Sequence, residues 1–161
     1  MENTETKTVR RAEERDLPVI REIYACARQR MRESGNPDQW GETYPPEEII
    51  RQDLAGGTLY VILEGAVICG VFAFFREPDP DYAVIDGAWL NDHPYGAIHR
   101  IAGAPGSRGI LESCVSFCRG FFSDLRIDTH RDNRIMQAAL TKQGFVRCGI
   151  VQVRGAGERI A

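Results

Sequence analysis

The residues between positions 98 and 111 form a pattern that could bind an anion. A stretch with strand propensity, 97–102, runs into a glycine-rich loop and then into a helical stretch that begins near Ile110. Glycines let a loop turn several backbone N–H groups toward one point, and a helix that begins there adds the positive end of its dipole. Arg108 adds a guanidinium that can bind two phosphate oxygens at once. The segment suits a pyrophosphate, but an ordinary glycine turn has a similar composition, and the spacing is neither a Walker loop nor GxGxxG.

Three polar residues nearby have side chains that could take part in chemistry. His99 lies on the predicted strand before the glycine loop, and an imidazole titrates near neutral pH, which suits proton removal. His130 and Asn133 lie in the connection between a predicted strand, 125–128, and a predicted helix, 133–142. Each has a structural alternative: His99 could satisfy a buried hydrogen bond, His130 could cap the loop, and Asn133 is a preferred N-cap residue.

Hydrophobic periodicity and turn residues predict the elements that must position these side chains. The predicted helices are 17–33, 47–55, 110–122 and 133–142, and the predicted strands are 8–11, 59–63, 66–75, 97–102, 125–128 and 145–153. Residues 82–90 could add a short strand, and 159–161 could pair briefly. With no internal repeat or linker in view, we expect one α/β (α+β) domain over 1–161, with helices on both faces of a mixed sheet.

Composition excludes several classes of protein. The formal net charge of −3 gives no overall basic field, so we expect no dedicated binding of nucleic acid. The longest apolar run has ten residues, about half of a membrane span, so we also expect no membrane partner. Met1–Thr8 is polar and shows no signal peptide, and the five cysteines include no CxxC pair. These features predict a cytoplasmic protein with reduced thiols and no metal.

Several short motifs occur together in a fixed order along the chain. They are Tyr82-x-x-Ile85, Gly87-Ala-Trp-Leu-Asn-Asp92, Pro94-Tyr-Gly-x-Ile-His-Arg-Ile-Ala102, Arg126-Ile-Asp-Thr-His130, Asp132-Asn133 and Ile135-Met-Gln137. With the glycine loop and the Gly-Phe pair that closes the last helix, they resemble the GCN5-related N-acetyltransferase (GNAT) superfamily, and most of all a bacterial subgroup of acetyltransferases. The resemblance covers nearly the whole chain.

The resemblance implies a GNAT-like acyl-CoA N-acyltransferase fold: a central, mostly antiparallel mixed sheet of six to seven strands flanked by about four helices. It implies acetyl-CoA as the donor co-substrate and a primary amine of a small molecule or peptide as the acceptor. In the family, the strand before the phosphate loop splays from its neighbour, and the pantetheine arm pairs with the freed edge. By this match the donor-binding residues are Ile101, Ala102 and Gly103 for pantetheine, Gly106, Ser107, Arg108, Gly109 and Ile110 for the pyrophosphate, and Asn133 for the pantetheine arm.

The same resemblance assigns roles around the reacting atoms. His99 lies beside the expected thioester and is the candidate base, and His130, near Asn133, is the candidate acid for the departing thiolate. The loop between the first two helices lines the acceptor side in the family, so Trp40 and Tyr44 are candidate acceptor-binding residues, although they could instead form an apolar latch over the sheet. A third marked aromatic residue, Trp89, is also a candidate for acceptor binding.

The chain departs from the family pattern in the phosphate loop and at the acid. Three positions of the usual phosphate pattern hold Gly106, Gly109 and Leu111, and the loop is about two residues short. We therefore expect Arg108 to supply the missing side-chain contact. The tyrosine that often protonates the thiolate would fall seven residues after Asn133, where Leu140 cannot donate a proton.

Three alternatives remain open from the sequence. A non-catalytic acyl-CoA-binding module on the same fold would explain the missing tyrosine. A hydrolase is suggested by Pro105-Gly-Ser107-Arg-Gly109, which is one residue away from the G-x-S-x-G elbow and has His130 downstream. The C-terminal strand could also join the sheet edge of a second copy, which allows a homodimer.

Overall fold

The elements of this computed structural model, which describes residues 6–161, follow the order predicted from the sequence. The helices are α1 (Leu17–Glu33), α2 (Glu47–Ala55), α3 (Ile110–Cys118) and α4 (Arg134–Lys142). The strands are β1 (Lys7–Arg11), β2 (Leu59–Glu64), β3 (Val67–Phe75), β4 (Asp86–Gly87), β5 (Gly96–Gly103), β6 (Leu125–Ile127), β7 (Gly149–Val153) and β8 (Gly157–Ile160). None of the four helices of this described part is long and apolar enough to span a bilayer.

The strands form two sheets. The central sheet has five strands in the order β1-β2-β3-β5-β6, and all neighbours are antiparallel except β5 and β6, which are parallel. A smaller sheet has the order β4-β7-β8. The prediction of an α+β fold with a mixed, mostly antiparallel sheet and four helices is confirmed. The strands are divided between two sheets because the chain after β6 leaves β5, and Thr129 pairs with Ile160 of β8.

Two apolar layers hold the helices on opposite faces of the central sheet. On one face α1 and α2 bury Leu17, Ile20, Tyr24 and Ile50 against β2 and β3. On the other face α3 and α4 cover a layer that is rich in aromatic side chains, in which Tyr60 stacks on Phe72 with ring centroids 5.4 Å apart. This layering leaves the inner strand β5 with α1 on one face and α3 on the other, which is the usual way to make such a strand rigid.

Three predicted boundaries differ from the structure. The helix predicted over 110–122 ends at Cys118, and the strand predicted over 145–153 begins only at Gly149. The uncertain stretch 82–90 contributes only β4, and it is preceded by a 3-10 turn over Pro80–Tyr82. In that turn the side chain of Asp79 accepts a hydrogen bond from the N–H of Asp81, and proline is well suited to the first helical position, so a helical turn forms in place of a strand.

Candidate active site

The parallel strands β5 and β6 separate after three paired positions. Gly96, Ala97 and Ile98 pair with β6, whereas the remainder of β5, from His99 to Gly103, has no strand partner on that side. The N–H of Ala104 donates to a carbonyl of β3, and N–H groups alternate along a strand, so the N–H groups of Ile101 and Gly103 face the open side. The splayed edge expected from the sequence is therefore present.

A β-bulge interrupts the pairing of β5 with β3 at the point where the strands splay. Val71 pairs with Ala102 and Ala73 with His99, so β5 has one residue more than β3 in this interval. Arg100, within the bulge, has a φ of 51° and is the one residue other than glycine with a positive φ among the described residues. Bulges of this kind re-aim a strand and commonly lie beside active sites.

The glycine loop at the end of β5 presents backbone donors in a small space. Gly106 and Gly109 have φ values of 77° and 69°, which only glycine adopts without strain. The N–H groups of Gly106, Arg108, Gly109 and Ile110 have no acceptor within residues 6–161, and α3 begins at Ile110. Unpaired N–H groups at the start of a helix are a favourable environment for an anion.

Two basic residues that the sequence did not single out lie near this loop. The guanidinium of Arg30, from α1, donates to the carbonyl oxygen of Gly103, which removes that oxygen from the acceptors available on the β5 edge. The ammonium of Lys7 lies 3.8 Å from the point where a Cβ on Gly109 would stand. A carboxylate oxygen of Glu112 lies 4.0 Å from the same point, so the three cations Lys7, Arg30 and Arg108 outnumber one carboxylate and give the loop a local positive charge in a chain of negative net charge.

The hydroxyl group of Ser107 stabilises the loop from within. Its Oγ donates to the carbonyl oxygen of Ala104 and lies 2.6 Å from the position that a Cβ on Gly103 would take. A side chain at Gly103 would therefore displace Ser107 and distort the loop. The Ser107 hydroxyl donates to a backbone carbonyl rather than to a histidine, and His130 is bonded within its own loop, so among the described residues the hydrolase alternative lacks a general base beside its nucleophile.

A cleft of about 830 Å³ opens beside the splayed edge of β5. One wall comes from β5 and β6, and the facing wall comes from the α1–α2 connection and the chain before β8. Acidic residues outnumber basic ones along it, in a ratio of five to three; the acidic ones are Asp38, Glu77, Asp79, Asp81 and Asp128, and the basic ones are Arg100, Arg154 and Arg159. The cleft is therefore suited to a cationic ligand.

His99 lines this cleft between two carboxylates. Its Nε2 lies 2.6 Å from Oδ2 of Asp79, and its Nδ1 lies 3.8 Å from Oδ2 of Asp128. The hydroxyl of Tyr82 donates to the same Asp128 oxygen over 2.6 Å. Neutral imidazole that donates Nε2–H to Asp79 keeps a lone pair on Nδ1, so His99 can accept a proton there.

The two carboxylates beside His99 differ in their readiness to ionise. Burial raises the pKa of Asp128, although the neighbouring His99 opposes this shift. Asp79 has a lowered pKa: desolvation is the largest influence on it and acts to raise the pKa, but the hydrogen bonds from His99 and from the Asp81 N–H, with the charges of His99 and Arg100, together outweigh it. The hydroxyl of Tyr82 has a raised pKa because it is buried and faces Asp128, so it stays protonated.

Asn133 caps α4 and also reaches across the cleft. Its Oδ1 accepts from the N–H of Met136 over 3.0 Å, as expected for an N-cap, and its Nδ2 donates to Gln39 over 2.8 Å. Gln39, in the α1–α2 connection, also accepts a hydrogen bond at its backbone carbonyl from the guanidinium of buried Arg159. The side-chain amide of Asn133 therefore lies at the cleft, with a loop residue as its present partner.

Trp40 and Tyr44 line the cleft from the α1–α2 connection. The indole of Trp40 also packs edge-on against Tyr24, with centroids 5.6 Å apart, so Trp40 lies both at the cleft and in the apolar layer beside α1. Trp89 is not among the residues that line the cleft. Its ring stacks on the guanidinium of Arg126 at 4.1 Å, beside a separate cavity of about 170 Å³.

Two residues near the expected thiolate lie away from the cleft surface. His130 is buried and accepts, through Nδ1, a hydrogen bond from the N–H of Asp132 over 3.0 Å, so its structural alternative agrees best with the structure. Leu140 packs in the apolar layer beneath α4. Neither side chain is among those that line the cleft.

Asp79, Asp128 and Asp53 are the functional candidates that sequence reasoning missed. Asp79 and Asp128 lie 49 residues apart in the chain and meet only through His99. Asp53, from α2, forms a two-pronged ion pair with Arg100 over 2.8 and 2.9 Å. A partial signal existed for Asp53, because it is a charged residue at a position where the period of α2 predicts burial beside Ile50.

No family model matches the chain, and no curated protein matches it either. Among solved structures, a GNAT-family acetyltransferase from Streptococcus agalactiae is 27% identical with a TM-score of 0.85, over 96% of this chain and 92% of that one.

Two more distant structures share the fold alone. A ribosomal-protein-alanine N-acetyltransferase from Brucella melitensis is 20% identical with a TM-score of 0.60, over 95% of this chain and 96% of that one. AAC(6')-Iy, in complex with the bisubstrate analog CoA-S-monomethyl-acetylneamine, is 15% identical with a TM-score of 0.60, over 89% of this chain and 92% of that one.

Proposed function

We propose, from the fold that the chain shares with a GCN5-related N-acetyltransferase (GNAT) family protein at a TM-score of 0.85, that it is an acetyl-CoA-dependent N-acetyltransferase of this superfamily acting on a primary amine of a small molecule or peptide. The observation that carries the proposal is the open edge of β5, which ends in a loop of unpaired N–H groups. An extended pantetheine arm can pair with such an edge as an added strand would, and a pyrophosphate can bind at the loop that follows.

The residues present fit this co-substrate. The N–H groups of Ile101 and Gly103 face the open side and offer donors to amide carbonyls. On the opposite side Thr129 is among the residues that line the cleft, and its hydroxyl is buried and has no hydrogen-bond partner among the described residues. A buried polar group without a partner costs stability, but this hydroxyl becomes available to a ligand only if neighbouring side chains move.

The Asp79–His99 pair supplies the proton chemistry in this proposal. The acceptor amine must lose a proton before its nitrogen can attack the thioester carbonyl. His99 takes that proton on Nδ1, while Asp79 holds the ring through Nε2 and Asp128 stabilises the imidazolium from 3.8 Å. A backbone N–H near Ile101 is the donor for the oxygen on which negative charge develops.

The departing thiolate has no tyrosine beside it, since that position is the buried Leu140. A CoA thiolate is a fair leaving group near neutral pH, so loss of a dedicated acid slows the reaction without preventing it. Proton transfer by a positioned group contributes about 10²–10⁴-fold in general, and we assign this contribution to the base. We propose no role for His130 in proton transfer, because it is committed within its own loop.

The charge of the cleft restricts the class of amine that we propose as the acceptor. AAC(6')-Iy binds an analog that joins CoA to an amino sugar, and the Brucella protein is named for a ribosomal protein substrate. Five carboxylates line the cleft here, and a small molecule with several ammonium groups fits such a wall better than a chain terminus with a single ammonium group does. We therefore place small cationic amines before peptides in order of preference.

The direct test is release of CoA thiol from acetyl-CoA, recorded over a panel of amines that includes neamine, spermidine and an alanine-initiated peptide. We expect release with at least one small cation. Calorimetry with acetyl-CoA on the wild-type protein and on Arg108→Glu gives the second measurement, with affinity reduced by more than about tenfold in the variant because a cation beside the phosphates becomes an anion.

The two measurements also separate the alternative function. Binding of acetyl-CoA without thiol release from any amine would favour a non-catalytic acyl-CoA-binding module, for which the absence of an acid at Leu140 is the supporting observation. No binding at high micromolar acetyl-CoA would reject both functions. Equal affinity of Arg108→Glu and wild type for acetyl-CoA would exclude Arg108 as a phosphate-binding residue.

A further inference from the structure

Arg100 adopts a backbone conformation that its residue type disfavours. Its φ of 51° lies in the left-handed region, where a Cβ crowds the following carbonyl, and glycine is the residue expected at such a position of a bulge. A strained residue of this kind persists only where its surroundings determine it, and it is most often found at functional sites. Arg100 lies between His99 and Ile101, the candidate base and the candidate oxyanion donor.

Three contacts hold Arg100 in this conformation. Asp53 on α2, buried to 5% exposure, accepts two hydrogen bonds from the guanidinium. Tyr44 accepts a third through its hydroxyl over 3.1 Å. The backbone carbonyl of Arg100 in turn accepts from the hydroxyl of Tyr24 on α1 over 2.9 Å. Both helices that cover this face of the sheet therefore fix one residue of β5.

We propose that Arg100 is a positioning residue whose ion pair with Asp53 imposes the left-handed turn of the bulge, and so sets which backbone groups of β5 face the donor. Without the bulge, the register would shift by one residue beyond His99, and the N–H groups of Ile101 and Gly103 would turn toward β3. This inference rests on the proposed function for its consequence in catalysis, but the register itself can be measured without any ligand.

The position of Tyr44 connects this device to the acceptor side. Tyr44 lines the cleft, and its hydroxyl contacts the same guanidinium that fixes the donor edge. An acceptor that contacts Tyr44 would therefore act, through the Tyr44 hydroxyl, on the guanidinium of Arg100, the residue that orients the β5 edge. We infer that the α1–α2 connection contributes to donor geometry as well as to the acceptor pocket.

The test compares two double variants that both lack the ion pair. Asp53→Asn removes the buried charge, so that replacing Arg100 leaves no unpaired carboxylate. In that background Arg100→Gly can adopt the left-handed turn without the anchor, whereas Arg100→Val cannot, since a β-branched residue strongly disfavours it. Affinity for acetyl-CoA is measured by calorimetry, and backbone exchange over residues 99–104 is measured by hydrogen–deuterium exchange.

The two double variants should separate clearly. We expect the glycine variant to bind acetyl-CoA within about threefold of wild type, and the valine variant to bind more than about tenfold more weakly, because only glycine keeps the bulge. Exchange at the Ala104 amide, which bonds to Cys69 on β3, should rise only in the valine variant. Arg100→Ala in the same background, expected to lie between them, replaces the valine variant if that one does not fold.

Each outcome decides the matter. Equal affinity and equal exchange in the glycine and valine variants would overturn the proposal, because a merely stabilising ion pair would be lost equally in both. Failure of the wild type to bind acetyl-CoA would reject the proposed function, while the exchange difference would still test the positioning role. Glu47→Gln, on α2 like Asp53, breaks the exposed ion pair with Arg21 of α1, and as the matched control it should change neither measurement.

Discussion

The two ends of the β5–β6 pair differ in what lies between the strands. At the closed end, Gly96–Ile98 pairs with β6, and Arg126 is held between the rings of Trp89 and Tyr95 at 4.1 and 3.9 Å. At the open end the strands separate, and the chain after β6 pairs with β8 instead. Side chains fill the space at the closed end, whereas the open end presents backbone donors and a titratable group to a cleft.

This difference indicates a division between stability and function within one pair of strands. Residues at the closed end satisfy one another: Arg126 donates to the carbonyl of Asn91, whose own amide donates to Asp124. At the open end, donors lack partners and Arg100 is strained. Unsatisfied groups and strain cost stability, and their concentration at one end is the reason that we propose this end as the site.

The largest effect is expected from the open end, at His99. His99→Gln keeps a hydrogen bond to Asp79 but cannot accept a proton, so kcat for acetyl transfer should fall by about 10²-fold or more. The affinity for acetyl-CoA, measured by calorimetry, should stay within about twofold, since the ring makes no contact with the donor in this account. An unchanged kcat in this variant would exclude His99 as the general base.

The next effect is expected in the glycine loop. A Cβ at Gly103 would stand 2.6 Å from Oγ of Ser107 and 3.0 Å from Ile110, so Gly103→Ala must move the loop. We expect acetyl-CoA to bind about 30-fold more weakly, because several N–H groups lose their common direction. Gly35→Ala is the control for a glycine with positive φ and open surroundings outside the cleft, and equally weak binding in that variant would contradict the importance of the Gly103 contact.

A smaller effect is expected at the closed end, where Arg126→Met removes the guanidinium but keeps most of the apolar stem. The free energy of unfolding should fall by about 1–2 kcal/mol, the size of a partly buried cation–π contact. The affinity for acetyl-CoA should not change beyond about twofold, since the closed end does not face the cleft. Chemical denaturation gives the free energy of unfolding, and calorimetry gives the affinity. A loss of affinity without a loss of stability would contradict the assignment of the closed end to stability and of the open end to binding.

The smallest effect concerns Asp128 and depends on pH. Burial raises the pKa of this carboxyl in the folded state, so the unfolded chain ionises first as the pH rises, and stability is lost as the pH passes through the raised folded-state pKa. Asp128→Asn removes this loss and should stabilise the protein at neutral pH, with no gain at acid pH where the wild-type carboxyl is protonated. Thermal unfolding at several pH values measures this, and a gain that does not vary with pH would exclude burial as its cause.

The sequence predicted the fold and the donor side more completely than the acceptor side. Glycines, a strand and a helix start are local signals, so the segment from Ile101 to Ile110 could be assigned from spacing and resemblance. The Asp79–His99–Asp128 cluster joins three separate segments, and no local period connects them. Trp89 shows the limit of a local signal. A large aromatic residue in a loop suggests ligand binding, but in the structure Trp89 packs on Arg126 outside the cleft.

The bulge at Arg100 could not be predicted from the sequence. Nothing in residues 97–103 calls for a left-handed residue, because glycine is absent from the position that adopts it. The conformation follows from tertiary contacts with Asp53, Tyr44 and Tyr24, which lie 47, 56 and 76 residues away in the chain. Such long-range contacts override local preference, and this is the general reason that strained site residues escape sequence analysis.

The most direct test of the account is to map backbone amide signals during titration with acetyl-CoA. On addition of acetyl-CoA, we expect shifts of the amide signals of Ile101, Gly103 and the loop Gly106–Ile110, whereas the signals of Gly96–Ile98 and of Arg126 should stay unchanged. Shifts concentrated at the closed end beside Trp89, or no shifts at high micromolar acetyl-CoA, would contradict the assignment of the open end as the donor site.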